Sequence, residues 1–206
     1  MRYLLISFLF FSLSSCSLKT TKDLLKVDVS KNMIGNTYFS DVNKDYVYKA
    51  KIEVYANNFG GILIIKKISE SKHRVVFTTE FGNKLFDFLY EDDDFTINYI
   101  VEELDKKMII NTLQKDFKLL ISERQKVINQ YQSEYFEVYQ TSDSNKNNFY
   151  FFNKKSATLD KIVNTSKSKE KLEILFDDIE DGNANSIVIN HKNIKLSIEL
   201  EKFKKE

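Results

Sequence analysis

The apolar residues of this chain alternate with polar ones over most of its length, and the alternation is interrupted once. In Ile194-Lys195-Leu196-Ser197-Ile198-Glu199-Leu200 every second side chain is apolar. The same period runs through Tyr46, Tyr48, Ala50, Ile52 and Val54, with Lys49, Lys51 and Glu53 on the other side. Successive side chains of a strand point to opposite faces, so such segments predict half-buried strands. Further strands are predicted over 61–68, 73–81, 84–90 and 95–101, separated by turn chemistry at Asn57 to Gly61, at Gly82-Asn83 and at the acidic run Glu91 to Asp94. Then the period changes. Ile109, Leu113, Phe117 and Leu120 recur at helical spacing and predict one amphipathic helix over 105–122. After the polar stretch 122–134, strands resume over 134–140, 148–153, 157–163, 171–176, 186–190 and 194–203.

Eleven antiparallel strands cannot lie flat, because strand twist accumulates until a large sheet curls or closes. The predicted fold is therefore mainly β: one large, curved antiparallel sheet, an incomplete β-barrel of about eleven strands, with the single long helix covering its concave face. A two-sheet sandwich is the alternative. Phe77, Phe86, Phe88, Phe95, Ile97 and Tyr99 alternate along three neighbouring strands and are expected to share one face. With Leu113, Phe117 and Leu120 of the helix they are the candidate lipid-binding residues, since apolar burial is non-directional and accepts varied acyl chains. The alternative is that all of these side chains fill the interior completely.

The N-terminus carries a different signal. Arg2 precedes ten largely apolar residues, Tyr3 to Ser12, too few to cross a hydrocarbon core of about 30 Å as a helix. Leu13-Ser14-Ser15-Cys16 follows and resembles the bacterial lipobox, in which the cysteine is acylated and becomes the first mature residue. The expected organisation is a signal peptide over 1–15, a lipidated tether over 16–44 with a short helix near Lys22 to Val29, and a half-barrel domain over 45–206. Cys16 is the expected lipidation site and the expected means of attachment to the membrane. It is the chain's one cysteine, so no internal disulfide is available. Ser17 is not the Asp of the inner-membrane retention signal, and no acidic run follows. The expected address is the periplasmic face of the outer membrane.

An acylated start, a tether, and strands interrupted by one lid-like helix resemble the Lol-system proteins over roughly residues 46–203. In that family a soluble carrier and an outer-membrane receptor lipoprotein each hold acyl chains inside a half-barrel. The resemblance implies an acyl-chain or lipoprotein ligand. In the receptor, the connection between the third and fourth strands carries an apolar side chain into the membrane. The corresponding Phe81-Gly82-Asn83-Lys84 reads as a tight turn with nothing to insert. The stretch from Phe59 to Ile121, and Arg74 to Phe88 within it, is also similar to a group of Bacteroidota lipoproteins.

Other chemistries find little support. Lys plus Arg number 31 and Asp plus Glu 30, so no long-range field draws nucleic acid to the chain. The two histidines, His73 and His191, fall on separate hairpins and read as surface groups, with no metal site expected. No nucleophile elbow, phosphate-cradling glycine loop or zincin helix occurs, and the pair Asp87 and Glu80 carries no glycosidase signal without a cleft. Asp177 to Asn183 invites a calcium reading, but aligning Gly182 with the loop glycine puts Ile179 and Val188 at ligand positions that need oxygen. It reads as a hairpin turn. No catalytic residue and no cofactor are expected; the alternative to a lipid binder is a cavity-less scaffold subunit of an envelope complex.

Overall fold

The computed structural model describes residues 19–143 and 146–203. Cys16 and the signal peptide lie outside the described residues. Among the described residues, fourteen strands form one antiparallel sheet that does not close into a barrel, with one α-helix between its two halves. After a short 3-10 turn, Lys19–Thr21, come β1 (Leu25–Val27), β2 (Met33–Ile34), β3 (Asp45–Val54), β4 (Asn57–Ser69), β5 (Lys72–Thr78), β6 (Lys84–Glu91) and β7 (Asp94–Ile100). The helix α1 spans Lys107–Ile121, and β8 (Gln125–Gln132), β9 (Phe136–Asp143), β10 (Lys146–Asn153), β11 (Leu159–Ser166), β12 (Lys169–Glu180), β13 (Asn183–His191) and β14 (Leu196–Lys202) follow. The lateral order is β1-β8-β9-β10-β11-β12-β13-β14-β3-β4-β5-β6-β7, and β2 also pairs with β8. β14, the last strand, pairs with β3 and so joins the two halves of the wall.

All eleven predicted strands are present, as β3–β7 and β9–β14. Three others were hidden by composition. β8 lies in the polar stretch Gln125–Gln132, where Val127 and Gln130 face inward among polar neighbours. β1 and β2 come from the segment expected as a tether, where no helix forms over Lys22 to Val29; short strands add to the edge of β8 instead. Beyond them Ile34, Tyr38 and Phe39 enter the core. Tyr38 Oη donates to the Leu159 carbonyl at 2.7 Å, and Phe39 packs on Tyr46 and Tyr48. Three large apolar side chains in six residues are reason enough for this segment to cover one end of the half-barrel rather than remain solvated.

The turn between β3 and β4 is also tighter than expected. Tyr55, at φ 55°, and Ala56 make the turn, and Asn57 and Asn58 already pair with Val54 and Glu53. Gly61 sits in β4 where a Cβ would meet the Thr78 carbonyl, so its smallness serves strand packing, not turning. The acidic segment ahead of β13 is the expected hairpin: Asp181 and Gly182, both with positive φ, make its turn.

The inner faces of β3–β6 and β12–β14 supply most of the main core, and α1 lies on it with Ile109, Leu113, Phe117, Leu120 and Ile121 buried. A second, small cluster of Val138, Phe149, Phe151 and Val163 sits on the opposite face of β9–β11, with Leu24, Tyr131 and Phe136 packed against it.

Candidate binding site on the concave face

Of the candidate lipid-binding residues, the structure brings together Phe77, Phe86, Phe88, Leu113, Phe117 and Leu120. Phe86 stacks on Phe88 with ring centres 4.4 Å apart and meets Phe117 of the helix at 5.7 Å. Phe77 lies 5.4 Å from Phe86. All six are 0% exposed. Side chains with no surface reachable by water touch other atoms on every side, so helix and wall meet directly and the interior here is filled, not hollow. Phe95 is half-buried on the same face, against Phe88 and Tyr90.

Ile97 and Tyr99 depart from the expectation. Phe88 pairs with Ile97 but Asp87 pairs with Tyr99, because the register shifts between Asp87 and Phe88. The extra residue of this bulge, Asn98, throws Tyr99 to the outer face, and Ile100 takes the inner place opposite Phe86. Ile97 stays inward but lies on the edge strand and is 38% exposed. A strict alternation from 95 to 99 could not reveal a bulge. On the outer face the bulge has its own purpose: Asp87, fully buried, accepts from Arg74 Nε and Nη2 at 2.9 and 2.6 Å, from Lys84 Nζ at 3.0 Å and from Asn98 Nδ2 at 3.2 Å. Arg74, despite the desolvation of the site, holds this carboxyl well below the usual carboxylate range.

The histidines are not surface groups. His191 of β13 and His73 of β5 keep only 9% and 8% of their side chains exposed, and both reach the helix or its end. His191 Nε2 lies 2.7 Å from Asp116 Oδ2 in the middle of α1. Burial pushes the Asp116 carboxyl up, against the pull of His191. His73 Nε2 lies 3.3 Å from the Phe39 carbonyl and 3.2 Å from Glu123 Oε1, just past the C-terminus of α1. The Glu123 carboxylate favours the protonated form of the ring. Burial outweighs it and lowers the His73 pKa.

These clips are unevenly distributed. The C-terminal end of α1 is fixed by Asn36, whose Nδ2 donates to the Leu120 carbonyl at 2.7 Å and whose N–H donates to the Ser122 carbonyl at 2.9 Å. Lys67, buried on β4, donates to Glu123 Oε2 at 2.6 Å. Gly35 passes so close that a Cβ would collide with the Glu123 backbone. At the other end, Lys106 provides no side-chain cap, and the exposed Tyr55 Oη to Met108 Sδ contact is 3.4 Å long.

Beside α1 the concave face opens into a cleft of about 1110 Å³ between the helix flank and β8–β13. Its lining mixes polar side chains with the apolar Met108, Leu119, Leu172 and Ile194. Lys107, Lys115, Lys146 and Lys171 face it, with Asn148 and Asn164 side by side on β10 and β11. Asn164 Nδ2 donates to Asn148 Oδ1 at 2.6 Å. Thr141 and Tyr150, beside Asn148 on the same face, are fully buried and do not line the cleft. No sequence signal pointed to this cleft: its lysines are 107, 115, 146 and 171, and only the fold gathers them.

The turn at Phe81 also differs from expectation. Gly82, at φ 86°, makes it tight, but tightness leaves Phe81 at the tip 93% exposed.

No family model matches the chain, and no curated protein matches it. Among solved structures, a LolA superfamily protein from Nitrosomonas europaea superposes over 82% of this chain and 88% of that one, with a TM-score of 0.51 and 6% sequence identity. A likeness of shape at that identity speaks for architecture, and the open, helix-bearing sheet described above has a LolA-like fold.

Proposed function

We propose that the chain is a non-enzymatic, lipid-anchored binding module of the cell envelope that accepts an acyl chain of a lipid or lipoprotein against its concave wall, in place of α1. The observation that carries this reading is the asymmetric fastening of the helix. Its apolar stripe occupies an aromatic wall, buried bonds hold its C-terminal end, and an uncapped, exposed contact holds the other. A hydrocarbon tail offers Phe86 and Phe88 what Leu113 and Phe117 offer now, at about 25 cal/mol per Å² covered. The ligand has only to exceed the helix in differential affinity for the wall. Cys16 supplies the anchor, at the periplasmic face of the outer membrane, and Phe81 is the exposed apolar tip that would touch the bilayer.

The test is titration of the full chain with a dansylated fatty acid while amide exchange is followed along α1. Uptake with loss of protection from Lys107 toward Leu113, the C-terminal turn staying protected, is the expected result. No uptake and an unchanged helix would overturn the reading. Independently, Cys16→Ala is expected to release the protein from membranes; continued attachment would defeat the anchor.

A second reading has its own observation. The six wall and helix side chains at 0% exposure suit a scaffold with a permanently packed core, whose partner would meet the free edge of β7 beside Ile97 and Tyr99. The same titration separates the two.

A further inference from the structure

We propose that the cleft between α1 and β8–β13 is a binding site for a phosphate-bearing ligand, distinct from the apolar wall under α1. Four ammonium groups meet there from three elements: Lys107 and Lys115 from α1, Lys146 from β10 and Lys171 from β12. Among the described residues none of the four is in a salt bridge. Of the carboxylates in the cleft, Asp93 pairs with Lys118 at 2.8 Å and Asp116 with His191 at 2.7 Å, while Lys146 and Lys115 also act on Asp116 through their charge. Five lysines, Lys118 included, against Asp93, Asp116 and Asp143 leave the cleft an excess of positive charge in a chain whose net charge is only +1. Like charges gathered in a partly enclosed space repel one another, and an anion entering it relieves that repulsion while gaining charge-assisted hydrogen bonds.

The floor adds hydrogen-bonding capacity that the protein does not use itself. The Asn148–Asn164 bond takes one donor and one acceptor, leaving Asn148 Nδ2 to donate and Asn164 Oδ1 to accept. A phosphate ester that also carries hydroxyl groups would meet the lysines with its anionic head and these two amide groups with its hydroxyls. About 1110 Å³ holds a group larger than a free phosphate, of the size of a phosphorylated glycerol or sugar. That chemistry occurs in a lipid headgroup and in a soluble phosphate ester, and the two sources differ in what must accompany the head.

The full chain in a non-ionic detergent would be titrated calorimetrically with glycerol 3-phosphate, and with mixed micelles containing phosphatidylglycerol or phosphatidylcholine. Saturable binding of glycerol 3-phosphate assigns a soluble ester. Binding only of the phosphatidylglycerol micelles assigns a lipid head. Either supports the site, provided Lys146→Glu with Lys171→Glu weakens it about tenfold or more, the scale of losing charge-assisted contacts. The charge-matched control, Lys49→Glu with Lys126→Glu on exposed strand positions outside the cleft, is expected to bind as the parent does. No binding of either probe, equal binding by the cleft variant, or equal loss in the control would overturn the proposal. Because no dansylated acyl chain is involved, failure here leaves acyl uptake standing, and the converse also holds.

Discussion

The inner surface of this sheet changes character halfway across. On β3–β6 and β14 it presents Tyr48, Ile52, Leu63, Phe77, Phe86 and Ile198, every one essentially unexposed, and α1 lies directly on it. On β10 and β11 one end of that face carries Asn148 and Asn164 and meets the lysines and Asn111 of the helix across the cleft, whereas Tyr139, Tyr150 and Ile162 farther along β9–β11 join the main core. Both halves belong to one continuous hydrogen-bonded wall, so backbone pairing does not distinguish them. What differs is which half can exclude water at a profit in free energy. The helix has one apolar stripe and settles where that stripe is matched. The polar half stays open because a helix resting on it would bury lysines and amides without partners.

The sharpest way to break this contrast is to place the same new charge in each half. Phe88→Asp puts a carboxylate among Phe86, Phe95 and the helix, with no cation on the inner face beside it, and is expected to cost about 4 kcal/mol or more. Asn164→Asp adds the same charge in the cleft, near Lys146 and Lys171, and is expected to cost under about 1 kcal/mol. Urea denaturation of both variants measures the difference. Similar losses would mean that the cleft closes in solution and that the two halves are equally dry.

The next largest effect sharpens the fastening of the helix. Asn36 is fully buried, caps two carbonyls at the end of α1, and accepts from the Tyr38 N–H at 2.9 Å. Asn36→Ala leaves the Leu120 carbonyl and the Tyr38 N–H unpaired and is expected to cost about 1–3 kcal/mol. Met108→Ala, at the other end of the helix, is expected to cost under about 0.5 kcal/mol, as for other exposed sites. A reversed order would show the helix to be held at its N-terminus.

Why some of this was legible from sequence, and some not, follows from the same contrast. Where one face is dry, alternation is enforced residue by residue: Tyr46 to Val54 and Leu196 to Leu200 could only be strands, and Ile109, Leu113, Phe117 and Leu120 only a helix stripe. Where inward positions are polar the constraint lapses, and β8, with Gln125, Asn129, Gln130 and Gln132, reads as loop although it pairs with β9 from Val127 to Gln132 around a bulge at Ile128. The segment 25–44 was obscure for another reason. Its apolar residues have no period, because it crosses the end of the half-barrel and touches β3, β5, β11 and β12 in turn. The cleft itself was out of reach, since four lysines spread over 64 positions, from 107 to 171, have no local pattern. The bulge at Asn98 cost Tyr99 its place for a related reason: the buried Asp87 that Asn98 bonds, with its partners Arg74 and Lys84, lies on the neighbouring strands β6 and β5.

A smaller effect tests the ties between the halves through pH. Burial holds the His73 imidazole below its ordinary value of 6.5, so the folded chain keeps it neutral while the unfolded chain takes up a proton first. The stability it contributes is complete above pH 6.5 and is lost as pH falls toward the lower folded value. Asp116 is shifted the other way, by burial, and stability tied to it is lost as pH rises through its folded value. In an Asp116→Asn background, the urea midpoint is therefore expected to fall between pH 7.5 and 5.5, and a further His73→Asn change is expected to flatten that slope. An unchanged slope would mean that His73 is solvated and that the strap over it opens freely.

The smallest expected effect bears most directly on the open half. Lys171 lines the cleft, makes no salt bridge among the described residues, and is next to Leu172, which is buried. If its charge serves only solubility, Lys171→Ala should change nothing measurable. If the four cleft lysines repel one another, removing one relieves part of that strain, and the variant is expected to be more stable than the parent by up to about 0.5 kcal/mol at low salt. The gain should disappear at about 1 M salt, where the Debye length is about 3 Å. A salt-independent loss of stability would show instead that Lys171 is bonded into the wall, and the cleft would then be a structural seam and not a site awaiting an anion.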